Sequence, residues 1–413
     1  MSDGTYGARL RARVLQILNG GAQNLRGVAL RAEGAYPGDI QKVLDDLVRE
    51  GLVLQDGTSF VGWGNSAGAG SAPRGPRGGW ESASAWEGIA DPHPADYDWR
   101  YTRLTLGKLT RLVTRLSGQN GTVALFGART LFPCLVRRGV DVTLFERNRS
   151  LLDELRLLGF TRGLVEHDLF DGIGDGQEKY DVVVADPPWY PVFYSAFLLR
   201  AAEILKKAGV VVLCVLPWLT RPGASEDRAQ IVKFGLRVGL DLWDIRPGAI
   251  MYETPRFEEV ALAAEGIRCS AWRRADLFCF RKVRKPPAGI IVERPRDEPE
   301  WDDYKVRKRK VKVRRCDVER VSRFSFCPVA GTSGVLPSVS RRARYRGRID
   351  LWTSDNVAYS IEGVEVVREA LGLVVCGKTP KVAAREAGLH QGLREEEVDS
   401  LSRLLSEVCS RNG

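Results

Sequence analysis

Between Leu104 and Leu219 the sequence changes period again and again. Uninterrupted apolar runs, in TVALFG, VTLFE, VVVAD and VVVLCVL, alternate with stretches of helical periodicity. A strand that is apolar on both faces must be covered on both faces. Strands of that kind separated by helices predict a parallel sheet with helices on each side, a doubly wound α/β domain. The helices are expected at Leu104–Ser117, in LFPCLVRRG, in LLDELRLLGF, and in FYSAFLLRAAEILKKAG, with Gly209 as the last stop.

Such sheets bind ligands at the carboxyl ends of their strands, where the strand order reverses. The first strand ends at Gly127-Ala128-Arg129, and small residues there let a ligand approach the backbone. The second ends at Glu146, 19 residues after Gly127, the distance at which an acid meets ribose hydroxyls in nucleotide-binding sheets. The third ends at His167-Asp168, where an acid or the adjacent backbone can meet an adenine edge. Singly, each acid reads as a helix cap or a solvated charge, and the glycine as a turn, since a full G-x-G-x-x-G is lacking. In this order they predict a nucleoside site holding Gly127, Ala128, Arg129, Glu146 and Asp168.

The fourth strand ends in Asp186-Pro187-Pro188-Trp189. The whole order resembles the class I S-adenosylmethionine-dependent methyltransferase fold, whose D-P-P-[WYF] form belongs to enzymes that alkylate amine nitrogens. The chemistry follows from the residue types. Asp186 and the carbonyl of Pro187 can accept the two N–H groups of an amine and pull its nitrogen toward a tetrahedral, nucleophilic shape. The prolines fix the backbone, and Trp189 offers a face to a base or a cation. A hydrogen bond to a charged acceptor contributes about 1.5–3 kcal/mol, roughly 10–150-fold in rate. The bland alternative is a proline-terminated strand with Trp189 as a core anchor.

A narrower resemblance covers roughly residues 97–283. YDWRYTRLT before the first strand, GART after it, DPPW and MYETPRFE together resemble the branched-chain polyamine synthases. That family joins an N-terminal winged helix to a methyltransferase-like domain and transfers aminopropyl groups from decarboxylated S-adenosylmethionine to a polyamine. The resemblance implies that Asp186 orients or deprotonates the acceptor amine, with Tyr252 and Glu253 near it. The sequence departs from the family at one place: a run of acids, G-D-D-D, is replaced by Gly127-Ala128-Arg129-Thr130. An arginine there would repel a polyamine and pair with the carboxylate of intact S-adenosylmethionine. The alternative is that Arg129 points to solvent. Methyl transfer is thus slightly preferred, aminopropyl transfer is the alternative, and a catalytically silent, nucleic-acid-binding scaffold is the third class.

The flanks suggest further domains. Residues 1–63 read as a winged helix: helices at about Ala8–Leu18, Leu25–Ala32 and after Pro37, then a hairpin around Asp56-Gly57. Such a module reads DNA through its third helix, or serves as a dimerisation or lid element; Asp45, Asp46 and Glu50 on that helix disfavour DNA. Residues 64–95 read as a Gly/Ser/Pro-rich linker, 96–284 as the catalytic domain, 285–304 as a second linker, and 305–413 as a small basic, then helical, domain. From Lys305 to Arg348 there are 15 Lys/Arg and 2 Asp/Glu, a local +13 against +10 for the chain, so the basicity belongs to this segment. KVRKRKVKVRR reads as a strand with one cationic face or an extended arm. With Arg341, Arg342, Arg344, Tyr345, Arg346 and Arg348 it would offer phosphates a surface. Eight scattered cysteines without C-x-x-C and only three histidines argue against a metal site or a disulfide framework. No run of about eighteen uncharged apolar residues predicts a membrane span. The opening MSDGTYGARLRARV lacks an apolar signal region, so a cytoplasmic protein is expected.

Overall fold

The computed structural model describes residues 4–62, 90–173, 178–295, 299–315, 323–341 and 343–410. The linker read at 64–95 therefore falls outside the described residues up to residue 89. Two compact units result. The first combines the N-terminal part with Trp99–Thr254 and Cys269–Pro295; the second combines the segment ending at Asp98 with Pro255–Arg268 and the C-terminal part.

The first unit opens with α1 (Gly4–Asn19), β1 (Gln23–Asn24), α2 (Leu25–Ala29), α3 (Pro37–Arg49), β2 (Val53–Asp56) and β3 (Ser59–Gly62). The strands form a small sheet in the order β1-β3-β2, the winged-helix arrangement. Pro37 stands in the first turn of α3, whose fixed φ suits a helix start. The predicted apolar stripe of α3 buries Ile40, Leu44 and Leu47. In the hairpin Asp56 pairs with Ser59, so the two turn residues are Gly57-Thr58, one step later than the sequence suggested. Gly57 takes the left-handed conformation such a turn needs, with φ 57°.

A helix α4 (Arg103–Ser117) then leads into β4 (Thr122–Phe126), α5 (Phe132–Val136), β5 (Asp141–Glu146), α6 (Arg149–Leu157), β6 (Leu164–Glu166), β7 (Tyr180–Ala185), α7 (Pro191–Ile204), β8 (Leu205–Val215), α8 (Ala224–Arg237) and β9 (Leu240–Met251). After α9 (Arg256–Ala264), which belongs to the second unit, β10 (Arg274–Lys282) completes a seven-stranded sheet ordered β6-β5-β4-β7-β8-β10-β9. Strands β4 to β8 pair in parallel and β10 runs antiparallel to both β8 and β9. Val182–Ala185 are fully buried, as an apolar run covered on both faces requires. The order reverses between β4 and β7, which sets their carboxyl ends side by side at the switch point. One element boundary differs from the sequence reading. Gly209 does not end a helix: α7 stops at Ile204 and the chain enters β8 at once. Lys206, which periodicity assigned to the helix, sits in this strand and pairs with Asp181 at 2.8 Å.

In the second unit, β11 (Trp301–Val306), β12 (Arg309–Arg314), β13 (Ser325–Pro328), β14 (Leu351–Thr353) and β15 (Ala358–Glu362) form an antiparallel sheet ordered β11-β12-β14-β15-β13. It shares a core with α10 (Val364–Val375), α11 (Pro380–Gln391) and α12 (Glu395–Cys409), through Val311, Val313, Leu371, Leu401 and Leu405. The strand β11 begins inside the stretch read as a linker at 285–304. The short segment before Trp99, read as linker and domain start, is also held here. His93 is fully buried with Nε2 2.9 Å from the carbonyl of Trp352, and burial pushes its imidazole down to about 3, so it stays neutral.

The basic run does not present a cationic face. It is the β11–β12 hairpin, turned at Arg307-Lys308, and both faces of β12 are covered: Lys310 and Lys312 are each 4% exposed. Lys312 meets Asp96 at 2.7 Å and also Asp303, while Lys310 lies 3.9 Å from Asp96. Arg309 pairs with Asp355, Arg314 with Asp350 and Arg315 with Asp302. The acids that neutralise the run come from elsewhere in the sequence, so a window of local charge misses them. No described helix is long and apolar enough to cross a membrane.

Removing one partner of a buried charge is costly, because the other is left without compensation. Asp96→Asn should therefore destabilise the protein by about 3 kcal/mol in urea unfolding. A change below about 1 kcal/mol would show that the lysine cluster is solvated.

Candidate active site

The ends of β4 and β7 meet through backbone alone. The Asp186 N–H donates to the Phe126 carbonyl at 2.9 Å, and Gly127 turns away with φ 67°. A Cβ at Gly127 would stand 2.8 Å from the carbonyl oxygen of Asp186, so only glycine fits this crossing. Two prolines then end the ladder, and Pro191 starts α7. Trp189 is held by its carbonyl, which accepts from Arg221, itself paired with Asp227 of α8 at 2.7 Å.

The short motifs scattered along the sequence are brought together around Asp186. Thr130 Oγ1 accepts from the N–H of Tyr101 at 3.5 Å. Thr102 donates its N–H to the carbonyl of Met251 at 3.0 Å, and Glu253 donates to that of Arg100 at 2.8 Å. The Tyr252 hydroxyl donates to Asp186 Oδ1 at 2.8 Å. Tyr101 stacks on Tyr252 with centroids 5.4 Å apart, and its hydroxyl lies 3.4 Å from Cys214 Sγ on β8. Trp99 and Trp189 each meet Tyr252 edge-on, at 6.2 and 6.1 Å.

Burial pushes the Asp186 carboxyl up to about 7, against the downward pull of hydrogen bonds from Tyr252, Tyr101 and Cys214. The same burial, with Asp186 beside them, raises Tyr101, Tyr252 and Cys214 well above their ordinary values, so all three stay neutral donors. Burial also raises Glu253, partly offset by Arg100. A carboxyl near 7 changes charge where a general base for an amine must.

The remaining sequence candidates divide. Glu146 ends β5 beside the switch point, and its Oε1 accepts from the Asn148 N–H at 2.9 Å. Asp168 Oδ1 caps the Phe170 N–H at 2.9 Å, and Oδ2 lies 3.3 Å from Arg294, so its carboxylate is engaged within the protein. Ala128 is buried after Gly127. Arg129 corrects both sequence alternatives. It points neither to solvent nor to an unpaired site: it is 4% exposed, with Nη1 3.1 Å from Oε2 of Glu154 on α6, which is equally buried. Its charge is met inside the fold, so an arginine here carries no argument for a donor carboxylate. Trp99, Tyr101, Cys214, Arg221 and Arg273 had no assigned place in the sequence reading. Tyr101 and Trp99 lie inside the quoted YDWRYT; Cys214 and Arg273 gave no signal of period or motif.

The strand order, the glycine at the switch point and the acid at the end of β5 define a class I methyltransferase-type fold. No family profile and no curated protein sequence matches the chain. Among solved structures the chain is similar to the branched-chain polyamine synthase from Thermus thermophilus. The C9 mutein of that enzyme matches with a TM-score of 0.51 and 17% identity over 70% of this chain and 92% of that one. The unaltered enzyme matches with a TM-score of 0.50 and 15% identity over the same shares. Both were solved in complex with N4-aminopropylspermidine and 5′-methylthioadenosine. The fold expected from the sequence is thus shared over most of the chain.

A raised Asp186 has a consequence for stability. The folded state favours its protonated form, so what it contributes is full below about pH 4, its unfolded value, and is lost as pH rises toward 7. Relative to Asp186→Asn, the wild type should melt at progressively lower temperature from about pH 4 to about pH 8. A difference in melting temperature that stays flat with pH would mean the carboxylate is not desolvated.

Proposed function

We propose that the chain is an N-alkyltransferase that moves an alkyl group from an S-adenosyl donor to an amine nitrogen beside Asp186. The observation that carries this reading is the Asp186 carboxyl, buried at the switch point against the Gly127 crossing and held by Tyr252, where burial pushes it up to about 7. Gly127 and Ala128 would line the donor, Glu146 would meet its ribose, and the backbone at His167-Asp168 its adenine. When bound, such a donor supplies an electrophilic carbon on a sulfonium centre.

The chain's own residues do the rest. Tyr252 donates to Oδ1 of Asp186, and Tyr101 and Cys214 also hydrogen-bond the carboxyl. Asp186, with the carbonyl of Pro187, would accept the amine N–H groups and orient the lone pair in line with the C–S bond. Asp186 would then take up the proton that the alkylated amine loses. Trp189 and Tyr252 would wall the acceptor, and Glu253 would lie near it. Alignment supplies most of the remaining acceleration.

For the group moved, we favour methyl from S-adenosylmethionine. The support is no longer a free arginine but the lack of an acid: Ala128, Arg129 and Thr130 follow Gly127, and Arg129 with Glu154 carries no net charge. A decarboxylated donor ends in a lone ammonium that would call for a net acid there, whereas the amino-acid end of S-adenosylmethionine is a zwitterion of no net charge and calls for none. Aminopropyl transfer is the second reading, supported by analogy with the fold of the polyamine synthase. The acceptor, nucleobase or polyamine, remains a proposal, as does nucleic-acid binding through 305–348, which the ion pairs of β12 disfavour. The acidic third helix suits a lid or a homodimer contact better than DNA.

Transfer of label from each donor tests the reading. Asp186→Ala should lower transfer by about 10–150-fold while sparing donor binding. Glu146→Ala should weaken donor binding first. Faster turnover with decarboxylated S-adenosylmethionine would overturn the methyl reading, and no transfer from either donor would leave the silent scaffold.

A further inference from the structure

The aromatic wall beside Asp186 already contains a cation. The guanidinium carbon of Arg273 lies 4.1 Å from the ring centroid of Trp99, 5.4 Å from Trp189 and 4.7 Å from Trp272. Three indoles around one planar cation form the kind of box that recognises ammonium groups. Trp189 is the indole of the D-P-P-W motif, and Trp99 and Trp189 both also touch Tyr252, the hydrogen-bond partner of Asp186. The box is therefore part of the wall that an acceptor amine beside Asp186 would meet.

We infer that Arg273 is a specificity-determining residue that fills this box and excludes polycationic acceptors. It rests on the N-alkyltransferase reading only for the identity of Asp186 as the acceptor side. A bound guanidinium removes the faces a second cation would use. The acceptor is then an amine carried by an uncharged or anion-bearing molecule, not a polyamine.

The residue is held in place from outside the sheet. Trp272 is buried, edge-on to Tyr36 of the winged helix at 5.9 Å, and the carbonyl of Ser270 accepts from Arg26 at 2.9 Å. The carbonyl of Arg273 accepts from the Tyr252 N–H at 3.1 Å, which ties the backbone of the box to the residue that holds Asp186. Arg273 thus sits on a braced segment at the start of β10.

Calorimetric titration with spermidine, and in parallel with 5′-methylthioadenosine, tests this on the full chain. Arg273→Met keeps the aliphatic stem and loses the charge, Arg273→Ala opens the box, and Arg273→Lys keeps a cation. Spermidine should bind the Met and Ala variants about tenfold tighter than the wild type, and the Lys variant no tighter. A purely structural arginine would change melting temperature in these variants without that pattern. The inference is overturned if the wild type binds spermidine as tightly as Arg273→Met, or if no variant binds it while 5′-methylthioadenosine still binds. If the wild type binds no 5′-methylthioadenosine but the spermidine pattern holds, the donor reading fails and the role of Arg273 stands.

Discussion

The hydrogen bond from Tyr252 to Asp186 organises the first unit around the switch point. Asp186 stands there because β7 must end where β4 ends, and Gly127 lets the two backbones pass. Burial makes the charged form of that carboxyl expensive, and the structure answers with neutral donors, Tyr252, Tyr101 and the Cys214 thiol, rather than with a cation. A lysine or arginine in their place would pull the carboxyl down and leave it always ionised. Neutral donors keep it near 7, where it can still take up a proton. The choice of partner thus decides whether the residue is a fixed charge or a base.

The second unit uses charge in the opposite way. Lys312 lies between Asp96 and Asp303 with almost no exposure, and these acids raise its pKa despite the cost of burial. Asp96 is held low by the two lysines, while Asp303, where desolvation outweighs Lys312, is pushed up. A buried network of this kind contributes little net stability over an apolar core. What it does here is fix a register: only one pairing of β11 with β12 puts Asp303 opposite Lys312.

Much of this was legible in the sequence, and the division has a physical basis. Apolar runs of β-strand length record burial on two faces, so the sheet and its strand ends could be read from Val182–Ala185 and Thr122–Phe126. Asp186, Trp189 and Tyr252 were legible because they sit in motifs. Local charge was not a guide to surface charge. KVRKRKVKVRR read as a cationic face or arm because its acids, Asp96, Asp303, Asp350 and Asp355, lie far away in sequence or outside the window. Arg129 misled for the same reason, since Glu154 answers it from a helix 25 residues on. The MYETPRFE motif reads as one piece, yet the chain passes from the first unit to the second after Thr254.

The winged helix is joined to the site by contacts that a DNA reader would not need. Its turn before α3 packs on the segment after β8: the Glu33 carbonyl accepts from the Leu219 N–H at 2.9 Å, and a Cβ on Gly34 would stand 2.9 Å from Pro217. Gly34 has φ 83°, so that turn is shaped to lie against the end of β8. Leu219 and Pro217 precede Arg221, which holds the Trp189 carbonyl, while Tyr36 braces Trp272 beside Arg273. Two of the three indole walls of the box, Trp189 and Trp272, are therefore supported from the same small domain. On the N-alkyltransferase reading, a module that braces these indoles would act on which acceptors enter, and its acidic third helix would suit that use because no phosphate backbone would have to approach it.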